Sequence, residues 1–201
     1  MLHLSTVEST TLELLKKLQQ LPVLCNTRLV GGTALALQLG HRKSVDLDFF
    51  GQINVDSQDL KEALRTLGTL TILNDSKNIH IYVLNEVKID IVNYTYPWLD
   101  DVVYKDGIRL ASPRDIAAMK ITAIEGRGTK KDFVDIYFLL KKYSLKNLLD
   151  FYSRKYPDSS SFMAMKSLAY FEDAEEEPMP YMWMYLGTKL KSLFCLVYNS
   201  I

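Results

Sequence analysis

The sequence predicts an α+β protein: a lobe built on a mixed β-sheet, followed by a helical lobe. Two observations predict it. Three consecutive runs, 69–73, 79–84 and 87–94, are rich in Ile, Val, Thr and Tyr and are separated by turn residues. After about Gly107 the composition shifts, and Ser112-Pro113-Arg114-Asp115 opens a series of helical patterns. The expected division is a sheet lobe over 1–107 and a helical lobe over 108–201, packed as one compact unit.

The elements follow in order. Leucines at 12, 14, 15, 18 and 21 have helical spacing over 10–21, and Pro22 closes that helix. A short strand over 28–30 runs into Gly31-Gly32. Residues 33–39 form a short apolar helix with Gly40 as its C′ residue. Alternation over 44–50 predicts a strand, and 57–67 an amphipathic helix ending at Gly68. The three strand-like runs, with Asn74-Asp75 and Asn85-Glu86 between them, form an antiparallel meander that Pro97-Trp98 breaks. Ser112 caps a helix to about Glu125, and Thr129 caps the next, through Tyr143. Further helices are expected over 145–156, 161–169 and 187–198.

Composition bounds the function. Hydrophobic residues at 48% and charged residues at 24% of 201 exclude general disorder. The net charge of zero points to no polyanion partner, but it conceals an asymmetry. Residues 105–131 hold seven Lys or Arg against three Asp or Glu, while 172–177 is almost wholly acidic. Cys25 and Cys195 have no metal-type spacing and read as buried free thiols of a reducing cytosol. The first ten residues lack a signal-peptide pattern, and no apolar run nears the ~20 residues of a membrane span. A cytoplasmic protein with no membrane partner is expected.

The chemistry begins at Asp46 and Asp48. On a strand, i and i+2 share a face, and two carboxylates among Val45, Leu47, Phe49 and Phe50 need a compensating cation. Oxygen-only donors suit Mg2+ or Mn2+. Asp90, in the apolar strand 87–92, completes a three-carboxylate metal cluster if that strand lies beside 44–50. Its alternative is an ion pair with Lys88, on the same face. Gly31-Gly32-Thr33 opens a helix directly after a strand, a phosphate cradle to which the Thr33 hydroxyl adds a donor. His41, Arg42 and Ser44 follow within reach of a triphosphate.

Residues 29–33 with His41-Arg42-x-Ser44-x-Asp46-Leu47-Asp48 resemble the glycine and D-x-D motif of polymerase-β-like nucleotidyltransferases. Residues 112–120, followed by Ala123, Arg127-Gly128 and Lys131-Asp132-Phe133-x-Asp135, resemble the AbiEii/AbiGii toxin-like family within that superfamily. The resemblance spans about 29–140. It implies a metal-dependent transfer of a nucleoside monophosphate from an NTP. Catalytic carboxylates fall at Asp46, Asp48 and Asp90, with Lys120 and either Asp132 or Asp135 acting beside them. It implies nucleotide binding at Gly31, Gly32, Thr33, Arg42 and Ser44. Some family members transfer to tRNA, and some are toxins with a cognate antitoxin or a role in phage defence.

Other readings stand beside these. Lys120 as a surface lysine would lay its stem along apolar neighbours, and Lys120→Met is expected to be stable on that reading and on the catalytic one, which differ only in whether turnover falls. Asp132 fits the N3 acid of a capping box begun by Thr129. Tyr181, Trp183 and Tyr185, alternating with methionines, fit lobe packing or base stacking. Two rival functions are an adenylyltransferase acting on a protein or small molecule, and a catalytically silent nucleotide-binding module.

Overall fold

The computed structural model describes residues 1–170, 174 and 176–181. Cys195, the helix expected over 187–198, and Trp183 and Tyr185 lie outside the described residues. The chain forms two units: Met1–Thr95 with Val102–Ala111, and Tyr96–Asp101 with Ser112–Ile201.

The first unit holds a seven-stranded mixed sheet. In chain order its elements are α1 (Ser9–Gln20), β1 (Thr27–Val30), α2 (Gly31–Leu39), β2 (Leu47–Gly51), α3 (Ser57–Arg65), β3 (Leu70–Asp75), β4 (Ile79–Leu84), β5 (Val87–Asn93), β6 (Val103–Lys105) and β7 (Ile108–Leu110). The strand order is β3-β4-β5-β2-β1-β7-β6. β2 runs parallel to β5 and β1 parallel to β7, while the other neighbours are antiparallel. One sheet face carries Leu29, Leu47, Phe49, Tyr82, Ile89 and Ile91, all fully buried, and the α1 leucines Leu15 and Leu18 are buried with them.

Most expected elements are present with ends shifted by one to three residues, while β6 and β7 form a hairpin that was not expected. Asp106 and Gly107 make its turn with φ of 52° and 77°. The Asp106 carboxylate accepts the Leu2 N–H at 2.9 Å. Two expectations change. β2 starts at Leu47, so Asp46 precedes the strand. Cys25 is exposed, because it ends the 3-10 turn Pro22–Leu24 at the surface.

Two polar clusters fix this unit. Arg109 donates to the backbone oxygens of Gln19, Leu24 and Thr27, while the Gln19 amide bonds the Arg109 backbone. This ties α1 and the following turn to β7. Asp75 accepts from Ser57, Lys61 and Tyr82 and pairs with His80 Nδ1 at 2.6 Å, clamping α3 to β3 and β4. The Ser57 hydrogen bond, opposed by burial and aided by Lys61, His80 and Tyr82, holds the Asp75 carboxyl well below the usual range.

The second unit packs α4 (Pro113–Gly126) against α5 (Lys130–Leu140), α6 (Leu145–Lys155) and α7 (Ser161–Ala169). Ser112 caps α4 by accepting the Asp115 N–H at 3.0 Å, with Pro113 at N1. At its centre Lys155 and Asp115 are both fully buried, 2.8 Å apart. Lys155 Nζ also donates to the Pro97 carbonyl and lies 4.3 Å from the centre of the Trp98 ring. Asp115 accepts the N–H groups of Leu99 and Asp100 and the Ser112 hydroxyl. One ion pair thereby binds the segment Tyr96–Asp101 to two helices.

Breaking such a pair leaves a buried charge uncompensated, at a cost of about 3–5 kcal/mol. Lys155→Met is therefore expected to lower the urea midpoint, with a loss of unfolding free energy in that range. Adding Asp115→Leu should return part of the loss. An unchanged midpoint in the single variant would show that the pair does not hold the unit together.

Candidate active site

In the sheet unit the site forms where β1, β2 and β5 meet. β2 and β5 pair in register with Asp48 opposite Asp90, and β1 places Val30 opposite Asp48 on the other side. In-register partners on neighbouring strands project from the same face, and adjacent strands lie about 4.8 Å apart. Asp48 and Asp90 therefore stand side by side, as the sequence predicted for adjacent strands.

Asp46 is placed differently. It lies in the loop before β2, and the Thr33 hydroxyl donates to its carbonyl oxygen. Thr33 is 1% exposed, and its Oγ1 lies 2.9 Å from Ser44 Oγ. The single hydroxyl proton of Thr33 is thus used on the backbone of Asp46. The residue expected to donate to phosphate instead fixes the loop that carries Asp46.

Gly31 and Gly32 begin α2, and Gly31 has φ +68°. A Cβ on Gly31 would overlap Asp48 Oδ2, and one on Gly32 would overlap the Arg42 guanidinium. The glycines therefore admit the site's own charged side chains. Arg42 is 4% exposed and donates to the Lys43 carbonyl at 3.0 Å.

Asp90 is held by Lys88. The Lys88 Nζ bonds its two carboxylate oxygens at 2.7 and 2.8 Å. Among the described residues no group of three or more His, Cys, Asp or Glu side chains is gathered closely enough to hold a metal ion. Asp46 lies off the strand, and Lys88 engages Asp90. The donor set of Asp48, Asp90 and Asp46, all oxygen, still fits a hard divalent cation.

In the helical unit Lys120, Asp132 and Asp135 come together. Lys120 Nζ lies 2.8 Å from Asp132 and 2.7 Å from Asp135, with both aspartates fully buried. Lys120 is not a surface lysine. Both aspartates contact the same ammonium. Thr129 is the N-cap of α5 by position, but no side-chain capping bond forms there. Its hydroxyl donates to the Asp132 carboxylate at 2.6 Å instead, and Arg127 Nε lies 3.2 Å from the same group. Burial alone would raise the Asp132 carboxyl; Lys120, Thr129 and Arg127 outweigh it and hold it below the usual value.

Five of the seven cations of the basic stretch 105–131 are engaged within the protein. Arg109 bonds backbone, Arg114 pairs with Asp100, Lys120 and Arg127 pair with aspartates, and Lys130 Nζ donates to the Glu177 carbonyl. Charge runs in sequence do not reveal such partners, which come from distant positions.

The fold is that of nucleotidyltransferases. JHP933 from Helicobacter pylori superposes with a TM-score of 0.56 at 22% identity, over 96% of this chain and 94% of that one. ANT(2")-Ia, solved with adenylyl-2"-tobramycin, superposes with a TM-score of 0.56 at 12% identity, over 76% of this chain and all of that one. The family described as "Nucleotidyl transferase AbiEii toxin, Type IV TA system" matches residues 13–180, and the chain belongs to it. It is accordingly an NTP-dependent nucleotidyltransferase. An uncharacterized protein of Aquifex aeolicus is 39% identical over 171 residues, 82% of this chain and 83% of the relative. Among the described residues no helix is long and apolar enough to cross a membrane.

Two predictions follow from these contacts. Gly31→Ala strains a left-handed backbone, at a cost of about 1 kcal/mol or more, and displaces the Asp48 carboxylate. Nucleotide transfer should fall far more than the melting temperature does, and a parallel small decline in both would remove Gly31 from the site. Lys120→Met should not be the stable variant that a surface lysine allows. It leaves Asp132 and Asp135 buried without their ammonium, at about 3–5 kcal/mol. The pH dependence then reverses. In the native chain Asp132 has a folded value below its unfolded 3.8, so its contribution is present above about pH 4 and is lost as pH falls through the folded value. In Lys120→Met the carboxylates resist ionisation, so mild acid should stabilise the variant. Denaturation melts between pH 4 and 7 test the sign.

Proposed function

We propose that this enzyme transfers a nucleoside monophosphate from a metal-bound NTP to a hydroxyl of an RNA acceptor, tRNA first, as the cytoplasmic toxin of a toxin–antitoxin pair. The observation that carries the catalytic part is the register of Asp48 with Asp90 on parallel strands. Family membership supports the toxin role and a cognate antitoxin protein as partner.

Asp46, Asp48 and Asp90 would hold Mg2+ or Mn2+. A divalent ion bound there would neutralise phosphate charge and make the acceptor hydroxyl more acidic. The acceptor oxygen attacks the α-phosphorus, the bond to the β-phosphate breaks, and pyrophosphate leaves. The negative charge of Asp90 favours loss of the hydroxyl proton. The N-terminus of α2 at Gly31-Gly32, with Arg42 and Ser44 beside it, receives the leaving phosphates. Thr33 acts by placing Asp46. Lys120 is the catalytic cation of the helical unit, and Asp132 and Asp135 fix its ammonium.

The test is incubation with each labelled NTP, Mg2+ and total RNA. Label should enter an RNA band with the native chain. It should not do so with Asp48→Asn or Asp90→Asn, whose circular dichroism should be unchanged. Label in a protein or a small aminoglycoside-like acceptor, and not in RNA, would replace the RNA reading. Transfer retained by both variants would move the active site elsewhere.

A further inference from the structure

We propose that Lys88 is a built-in counter-cation of the metal site: it holds Asp90 in the metal-free chain and gives it up when a divalent cation binds. The proposal rests on Asp90 being a metal ligand. Lys88 and Asp90 are two residues apart on β5 and project from the same face. The ammonium takes both carboxylate oxygens, at 2.7 and 2.8 Å, as a bidentate cation would.

The need for such a cation is set by the sheet. Asp48 faces Asp90 across the parallel β2–β5 pair. Two carboxylates that close repel each other, and a neighbouring positive charge offsets the repulsion. Lys88 can be that charge without becoming permanent. Its side chain is 41% exposed and that of Asp90 23%. An ion pair so open to water is weak, and water can take over the ammonium when it leaves. The contrast with the other lysine pairs is direct: the Lys120 side chain is 6% exposed and that of Lys155 fully buried, each against fully buried aspartates. Those ammonium groups cannot leave without stranding a buried charge. Lys88 can.

A divalent cation at Asp90 must therefore displace Lys88, and the pair sets the metal affinity of the resting chain below what the carboxylates alone would give. Mn2+ binding to the full chain, read by electron paramagnetic resonance with a non-hydrolysable NTP analogue present, tests this without any turnover. Lys88→Met should bind Mn2+ about two- to fivefold more tightly than the native chain. Lys88→Gln repeats the comparison if methionine disturbs the strand. Lys88→Arg separates displacement from bulk charge. Charge alone predicts native affinity, which would overturn displacement, whereas displacing a planar fork that grips the carboxylate more firmly predicts weaker binding. Asp90→Asn should weaken binding. Unchanged or weaker Mn2+ binding in both Lys88→Met and Lys88→Gln, with Asp90→Asn weakened, overturns the role of Lys88 alone. The same holds if Lys88→Arg binds more tightly than the native chain. Unaltered binding in Asp90→Asn, or no Mn2+ binding by the native chain, overturns Asp90 as a ligand and the proposal with it.

Discussion

The parallel pairing of β2 with β5 is the constraint on which the sheet unit turns. It sets Asp48 beside Asp90 at the spacing of adjacent strands, about 4.8 Å. Side by side on a sheet, two carboxylates repel, and partial burial adds to the cost of their charge. The surrounding residues answer that cost. Lys88 neutralises Asp90 from the same strand. Gly31 leaves room for the Asp48 carboxylate at the start of α2, where helix N–H groups favour negative charge. Thr33 fixes the loop carrying Asp46. Repulsion of this kind is what a bound divalent cation would relieve, and it suits a binding site better than a structural device.

The helical unit handles charge in the opposite way. Two of its buried lysines, Lys120 and Lys155, are matched to buried aspartates so closely that neither partner is replaceable alone. Asp132 and Asp135 carry two negative charges, and Lys120 with Arg127 carries two positive ones, so the group is balanced. Lys155 and Asp115 balance by themselves, and the remaining oxygens of Asp115 are met by two N–H groups and a hydroxyl. Such networks contribute less to net stability than to the uniqueness of the arrangement, because an apolar core of the same volume would be comparably stable. In this unit the arrangement fixed is the position of one ammonium, Lys120.

Residues close in sequence were legible because local physics determines them. Ser112 with Pro113 marked the start of α4, and Gly40 the end of α2, since caps depend on a few neighbouring residues. The Asp48–Asp90 pairing was legible as a condition, because carboxylates in apolar strands need a common cation. The β6–β7 hairpin also had a signal, the Asp106-Gly107 turn, but its strands are only three residues each and give no alternation to read. The partners of Thr33, Lys120, Lys130 and Lys155 were not legible. Each meets a residue at least eleven positions away, and which distant pair meets is decided by packing that no periodicity records. Thr129 shows the same limit at short range: a good N-cap by type, it bonds the Asp132 side chain because that buried carboxylate is the stronger acceptor.

The distribution of cations bears on what the enzyme recognises by charge. Of the seven Lys and Arg in 105–131, five bond backbone or carboxylate groups of the protein itself. A cation already matched to a carboxylate presents little net field to a polyanion, and what field remains is screened within about 8–10 Å at physiological salt. Arg114, Lys120 and Arg127 are so matched, while Arg109 and Lys130 bond carbonyl oxygens and keep their charge. In the sheet unit the balance differs: Arg42 packs on Gly32 at the start of α2, and Lys88 stands on an open pair that a metal can release. Positive charge that responds to a ligand thus lies where the triphosphate is proposed to bind. Electrostatics would favour the nucleotide at that position, because the donor carries the same triphosphate charge whatever the acceptor.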